Sequence, residues 1–233
     1  MRSMILSQRL SAVSSLVSKG SRLADIGTDH GYVPVYLVEV GWIPSAIAMD
    51  VNPGPLARAR ELIRQHALED RIQTRLSDGL GALGKREADT ILIAGMGGAL
   101  TVRILGERKD LCHEVKELVL QPQSEIMQVR DYLGKNGWSI VQEKIILEDG
   151  KYYPMMRCVP GEMTLTRTQE RYGPCLMEDR PQTWIRYLAW RQNILERNLA
   201  SLVSARGERG ESRREETIRQ IEELQELRRD TES

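Results

Sequence analysis

The feature that most constrains this chain is an alternation running through its first two thirds. Short apolar runs, most of them closed by a glycine or a carboxylate, alternate with segments whose apolar residues recur at helical spacing. The runs at residues 22–26, 45–50, 71–77, 90–94 and 117–121 read as strands. Helices are expected at 33–40, 55–66, 99–105 and 125–135. Strands that alternate with helices are joined by right-handed crossovers, and these build a parallel sheet covered on both faces. The expected class is therefore α/β with a doubly wound sheet. Two more runs, 139–147 and 152–159, are separated only by Glu148-Asp149-Gly150. A hairpin fits so short a connection and adds an antiparallel edge. Ahead of the series, Ile5, Leu6, Leu10, Val13, Leu16 and Val17 mark one amphipathic helix over 5–17, ended by Ser18-Lys19-Gly20.

After about Thr164 the pattern changes, with no alternating stretch and no lysine. Trp184, Tyr187, Leu188, Leu195, Leu199 and Leu202 form one helical stripe, and Ile218, Ile221, Leu224 and Leu227 another. The segment Arg206-Gly207-Glu208-Arg209-Gly210 reads as the break between them. Two domains are expected: 1–163, and an antiparallel helical hairpin over 164–233. Its arginines alternate with glutamates, as Glu215 and Arg219 do, which describes a solvated ion-pair face.

Composition removes several alternatives. At 41% hydrophobic and 28% charged residues the chain is that of a folded protein, not a disordered one. Lys+Arg 33 and Asp+Glu 33 cancel, so a nucleic acid would be held by local basic patches. Cys112, Cys158 and Cys175 are odd in number and lack CxxC spacing, which argues against a disulfide framework or a zinc site. His66 and His113 have no ligand-spaced partners and read as surface residues; no metal is expected. The N-terminus lacks the apolar core of a secretory signal, and the longest apolar run is about half the roughly 20 residues a membrane helix needs. A cytoplasmic location is expected.

Chemistry-bearing residues gather at the strand ends. The first strand runs into Asp25-Ile26-Gly27-Thr28-Asp29-His30-Gly31-Tyr32, where glycine admits a ligand beside the start of the next helix. Nineteen residues past Gly31, the second strand ends in Asp50-Val51-Asn52, placing a carboxylate where ribose hydroxyls are expected. The third ends in Ser77-Asp78-Gly79 and the fourth in Ala94-Gly95-Met96-Gly97-Gly98. A dinucleotide needs GxGxxG for its pyrophosphate, whereas Gly27 and Gly31 are spaced GxxxG with acidic Asp29 between them. That carboxylate would repel a phosphate. The same loop, with acidic Asp25 just ahead of its first glycine, suits S-adenosylmethionine, whose amino and sulfonium groups are cationic.

In order and spacing these motifs resemble the bacterial TrmK tRNA methyltransferases, which methylate N1 of adenine-22. The resemblance runs from Leu6 to about Pro160. It is carried by Leu6-Ser7-Gln8-Arg9-Leu10, by the Asp25–Tyr32 and Asp50–Asn52 motifs, by Ser77-Asp78-Gly79-Leu80, by Ala94–Gly98 and by Leu120-Gln121-Pro122. Gln123 departs from the asparagine expected after Gln-Pro. The resemblance implies a Rossmann-like class I methyltransferase sheet with a coiled-coil-like C-terminal hairpin that helps to seat the tRNA. It implies Asp25, Gly27, Thr28, His30 and Gly31 around the methionine part of the cofactor. Asp50 would meet the ribose, Asp78 with Gly79 the adenine ring, and Ala94, Gly95, Met96, Gly97 and Gly98 the methyl group, with Asn52 and Ser77 as further cofactor-binding candidates. A monomer is expected, a dimer through the hairpin being the alternative.

N1 of adenine has an available lone pair, so no strong base is obligatory, but the product is cationic and a carboxylate could stabilise it or take an amine proton. Asp29 is the candidate catalytic residue. Tyr32, Met96, Tyr152 and Tyr153 are candidate stacking platforms for an unstacked base. Arg9, Arg103, Arg130 and Lys151 are candidate phosphate contacts, and Gln121 and Pro122 candidate substrate contacts. Simpler roles compete: Asp29 could cap the following helix, and Met96 could only pack. Competing functions are methylation of another RNA base or a protein, nucleotide-cofactor redox chemistry, and a non-catalytic interaction module.

Overall fold

The computed structural model describes residues 4–202 and 208–232. The chain divides into two compact units, Met1–Cys175 and Leu176–Ser233. The first is built on one seven-stranded sheet. Strands β1 (Leu23–Ile26), β2 (Ala46–Asp50), β3 (Ile72–Leu76), β4 (Thr90–Met96) and β5 (Glu117–Pro122) are parallel. Strands β6 (Trp138–Glu148) and β7 (Lys151–Pro160) pair antiparallel, and the order is β3-β2-β1-β4-β5-β7-β6.

β1 and β5 are buried at every position, as strands covered on both faces must be. Successive residues feed opposite layers: Ile91 and Ile93 enter the core with Ile104, Leu118 and Leu120, while Leu92 joins Val35, Ala48, Ile63 and Val119. The β6–β7 turn consists of Asp149 and Gly150, with φ of 49° and 74°. Two positive φ angles match the right-handed twist of a two-residue hairpin. The chain winds outward from β1 through β2 to β3, then returns to β4 on the other side of β1. This reversal opens a crevice at the carboxyl ends of β1 and β4.

Helix α1 (Gln8–Ser14) is shorter than the expected 5–17. The Ser7 hydroxyl accepts the Leu10 N–H and starts the helix there, leaving Ile5 93% exposed outside it. Helices α2 (Tyr32–Glu39), α3 (Pro53–Gln65), α4 (Gly98–Glu107) and α6 (Ile126–Lys135) cover the sheet, and α5 (Lys109–Cys112) is a short turn not foreseen in the sequence. Helix α7 (Arg167–Tyr172), also unforeseen, is opened by a capping box between Thr166 and Gln169. Its Glu170 and Arg171 carbonyls accept from Arg130 of α6, which is why the first unit continues past the compositional change at Thr164. Helix α8 (Pro174–Asp179) follows.

Arg130 corrects an expectation. Its side chain is 2% exposed and paired with Glu143 of β6 at 2.7 Å, so it cannot meet a phosphate at the rim. His66 is likewise not a partnerless surface residue: its Nδ1 lies 2.8 Å from Glu39.

In the second unit α9 (Gln182–Ser201) buries Trp184, Leu188 and Leu195, and α10 (Glu208–Glu232) buries Ile221 and Leu224. Arg180 donates to the Asp230 carbonyl and Arg228 to Gln192, ties that an antiparallel hairpin makes. Of the expected break, Glu208, Arg209 and Gly210 are instead the first residues of α10, while Arg206 and Gly207 lie outside the described residues. No helix among the described residues is long and apolar enough to cross a membrane.

Candidate active site

After β1 the chain turns through Gly27 and Gly31, with φ of 76° and 71°, a conformation glycine adopts without strain. The N–H groups of Gly27 and Thr28 donate to the Met49 carbonyl at 2.7 and 2.9 Å, fixing the loop against β2. No side chain caps α2 at Gly31, so its first N–H groups are available to a ligand.

This loop walls a cavity of about 160 Å³. Of the sequence candidates, the cavity brings together Arg9, Asp25, Gly27, Thr28, Asp29, His30, Gly31, Tyr32 and Ala94, with Leu10, Val33 and Leu92 completing the lining. Asp50, Asn52, Ser77, Asp78, Gly79, Gly95, Met96, Gly97, Gln121, Pro122 and Tyr152 are not part of that lining.

The floor is acidic. Asp25 is 7% exposed, and burial pushes its carboxyl up to about 6; the neighbouring Thr28 hydroxyl works against that rise and the Asp50 carboxylate adds to it. Thr28 Oγ1 is itself buried and meets the geometry of a hydrogen bond with no group among the described residues. A buried carboxylate near its pKa beside an orphaned hydroxyl suits a ligand that brings a cationic amino group and hydrogen-bonding partners. The methionine end of S-adenosylmethionine has both. Among the described residues, then, Asp25, Thr28 and the open N–H groups of α2 fit that cofactor.

Asp29 stands at the mouth, 70% exposed, with Arg58 of α3 donating to it at 2.6 Å and His30 Nε2 at 3.6 Å. Arg58 escaped the sequence reading. Its signal was position alone: it lies in the second turn of a helix that starts where β2 delivers Asp50, and such a turn borders the crevice.

The other strand ends are held by contacts of their own. Asp50 accepts the Asn52 N–H at 2.7 Å, shaping the exit from β2. Ser77 donates to the Gly79 carbonyl and accepts from the Ala82 N–H, so its hydroxyl organises the loop after β3. Asp78 is 69% exposed, 3.6 Å from Arg103 of α4. Gly95 forms a bulge between Ala94 and Met96 against β5, and the Met96 methyl fills the place a side chain on Gly27 would take.

Arg9 is held more deeply than a phosphate contact at the rim would be. Its Nη1 donates to the fully buried Gln121 at 3.0 Å, its backbone N–H to Glu148 at 3.0 Å, and its guanidinium lies 5.7 Å from the Tyr153 ring centroid. Gln121 also donates to the Pro122 carbonyl, which leaves its side chain engaged within the protein. The stacking candidate Tyr152 sits part-buried in β7 beside the hairpin turn.

A mixed sheet of this order, with a glycine loop after β1 and carboxylates at the ends of β1 and β2, defines a Rossmann-like methyltransferase. Residues 6–156 match the family described as "Methyltransferase domain". The tRNA (adenine(22)-N(1))-methyltransferase of Bacillus subtilis is 38% identical over 162 residues, covering 70% of this chain and 68% of that protein. The chain belongs to the TrmK family. The crystal structure of the B. subtilis m1A22 tRNA methyltransferase TrmK is 30% identical with a TM-score of 0.88, over 96% of this chain and 99% of that one. Streptococcus pneumoniae Sp1610, solved in complex with S-adenosyl-L-methionine, is 35% identical with a TM-score of 0.88, over 96% and 100%.

Proposed function

We propose that this protein transfers a methyl group from S-adenosylmethionine to N1 of an adenine in tRNA, at position 22. The observation that carries the reading is the buried Asp25 carboxyl beside the unpartnered Thr28 hydroxyl on the floor of the crevice, in a chain 38% identical to an enzyme named for that reaction. When bound, the cofactor supplies a methyl on a positively charged sulfur, so the N1 lone pair needs no prior deprotonation. What this chain contributes is placement and charge. Asp25 holds the cationic end of the cofactor, Thr28 and the α2 N–H groups take its polar atoms, and Asp50 and Asn52 meet the ribose. Ser77, Asp78 and Gly79 border the adenine ring, and Ala94 to Gly97 border the methyl.

Asp29 faces the mouth, where the positive charge develops on the target base. Held by Arg58, it acts by electrostatic stabilisation. The α9–α10 hairpin, rich in both arginine and glutamate, seats the tRNA, and the reaction belongs to the cytoplasm.

The test uses purified protein, labelled cofactor and an unmodified tRNA transcript carrying adenine at position 22. Label should appear at N1 of that nucleotide, and label elsewhere or none would overturn the reading. Asp29→Asn should lower kcat by about a hundredfold while the Kd for S-adenosylmethionine stays within threefold of the wild type. Equal losses in both would make Asp29 a cofactor ligand.

A further inference from the structure

We propose a second nucleotide subsite, outside the crevice, that holds an unpaired nucleoside of the tRNA next to the methylated one. It rests on the tRNA reading above. The His30 and Tyr32 rings are stacked at 5.0 Å between centroids with 15° between planes, and Tyr32 is 40% exposed. Both residues line the cofactor cavity. Both also line a shallow cavity of about 450 Å³ between the start of α2 and the side of α3, whose remaining lining is Ala57, Arg58, Glu61, Leu62 and Gln65. The two cavities have no other lining residue in common, so the stacked pair is a partition. A base in the outer cavity touches none of the strand ends that border the methyl, which makes it a neighbour of the target and not the target.

The chemistry of this cavity matches a nucleotide. Tyr32 extends the His30 ring into a platform for a base, a contact that tolerates any sequence because every base has a π-face. The Leu62 side chain adds an apolar wall. Gln65 donates one amide N–H to Glu61 at 2.8 Å, which leaves its second N–H and its carbonyl oxygen for a base edge, and Arg64 also donates to the Glu61 carboxylate. Arg58 binds Asp29 through a single nitrogen, Nη2, and a guanidinium carries five N–H donors, leaving several for a phosphate.

The test compares steady-state methylation of the tRNA transcript with titration of S-adenosylmethionine alone. Tyr32→Leu keeps the apolar area and removes the ring, and Ala57→Glu fills the outer cavity with bulk and negative charge. Each should raise KM for tRNA by roughly fivefold to a hundredfold, the range of one lost base–aromatic stack; in Ala57→Glu, which lies outside the cofactor cavity, kcat and the Kd for S-adenosylmethionine should stay within about twofold of the wild type. Tyr32→Phe, which restores the ring, should recover most of the loss. A fall in kcat at unchanged KM in Tyr32→Leu would put Tyr32 under the reacting base, and a weaker Kd for S-adenosylmethionine in Ala57→Glu would make the outer cavity part of the cofactor site; either overturns the subsite, as does wild-type behaviour of both variants. If the wild type itself methylates no tRNA, the reading of the function fails and the subsite with it. If only the variants are indifferent, the subsite fails alone.

Discussion

Asp25→Asn is expected to make the ligand-free protein more stable and to make it unable to hold its cofactor. The carboxyl of Asp25 is buried, and burial carries its pKa up to about 6 from an ordinary 3.8. A raised carboxyl pKa means that the folded state holds its proton more tightly than the unfolded chain does. The associated stability is complete below about pH 4 and is lost as pH rises through about 6. Two pKa units correspond to about 3 kcal/mol, so at pH 7.5 the wild type carries that penalty. Asparagine has no charge to desolvate. Its Tm at pH 7.5 should exceed that of the wild type by roughly 5–10 °C, and the difference should close on approaching pH 4. Calorimetric scans of both proteins across this range check it, and an asparagine variant that is less stable at pH 7.5 would overturn it. Titration supplies the other half: affinity of the wild type for S-adenosylmethionine should rise with pH through about 6, as the carboxylate ionises against the cofactor's amino group. The variant should bind about a hundredfold more weakly or worse, as expected when one half of a buried charge pair is removed.

The same residue shows what was legible in the sequence. Strands β1, β2, β4 and β5 could be read because a strand covered on both faces must be apolar almost throughout, and each run stops where the apolar pattern breaks, at Gly27 after β1, Asp50 in β2, Gly95 in β4 and Gln121-Pro122 in β5. The ends of those runs locate the crevice. Periodicity carries no information about pairing across the fold. Arg58 meets Asp29 from 29 residues away, and Glu39 meets His66 from 27, with nothing local to announce either contact. The Ser77 hydroxyl reads as a ligand group from its position, yet the loop's own backbone takes both of its hydrogen bonds. Helix ends depended on a single cap: the apolar spacing over 5–17 continues past both ends of α1, but Ser7 determines where hydrogen bonding starts. The change of composition at Thr164 marks where strands stop, and α7 still belongs to the first unit because Arg130 draws its carbonyls in.

Removing either half of the Arg130–Glu143 pair should be the most destabilising single change in the first unit. Arg130 donates through Nε and Nη2 to Glu143 at 2.9 and 2.7 Å and through Nη1 to the carbonyls of Glu170 and Arg171, while Glu143 also accepts the Cys175 N–H. One buried arginine thus joins α6, β6 and the segment leading out of the first unit. Its position was open to inference, since Arg130 lies three residues before Leu133 and beside Val129, all three buried on α6. Taking two charges out of water offsets much of their attraction, so the pair's net contribution is small; an unpaired buried charge has no such compensation. Arg130→Ala and Glu143→Ala should each lose about 3–5 kcal/mol, lowering Tm by roughly 10 °C. Arg130→Met combined with Glu143→Leu leaves no charge behind and should lie well above either single variant. Limited proteolysis gives a local readout: in Arg130→Ala, cleavage within 161–175 should precede cleavage of the sheet, because α7 has lost the donor for two of its carbonyls. Single variants no less stable than the double would mean that water reaches the pair, and that the carbonyls of α7 are held by something other than Arg130.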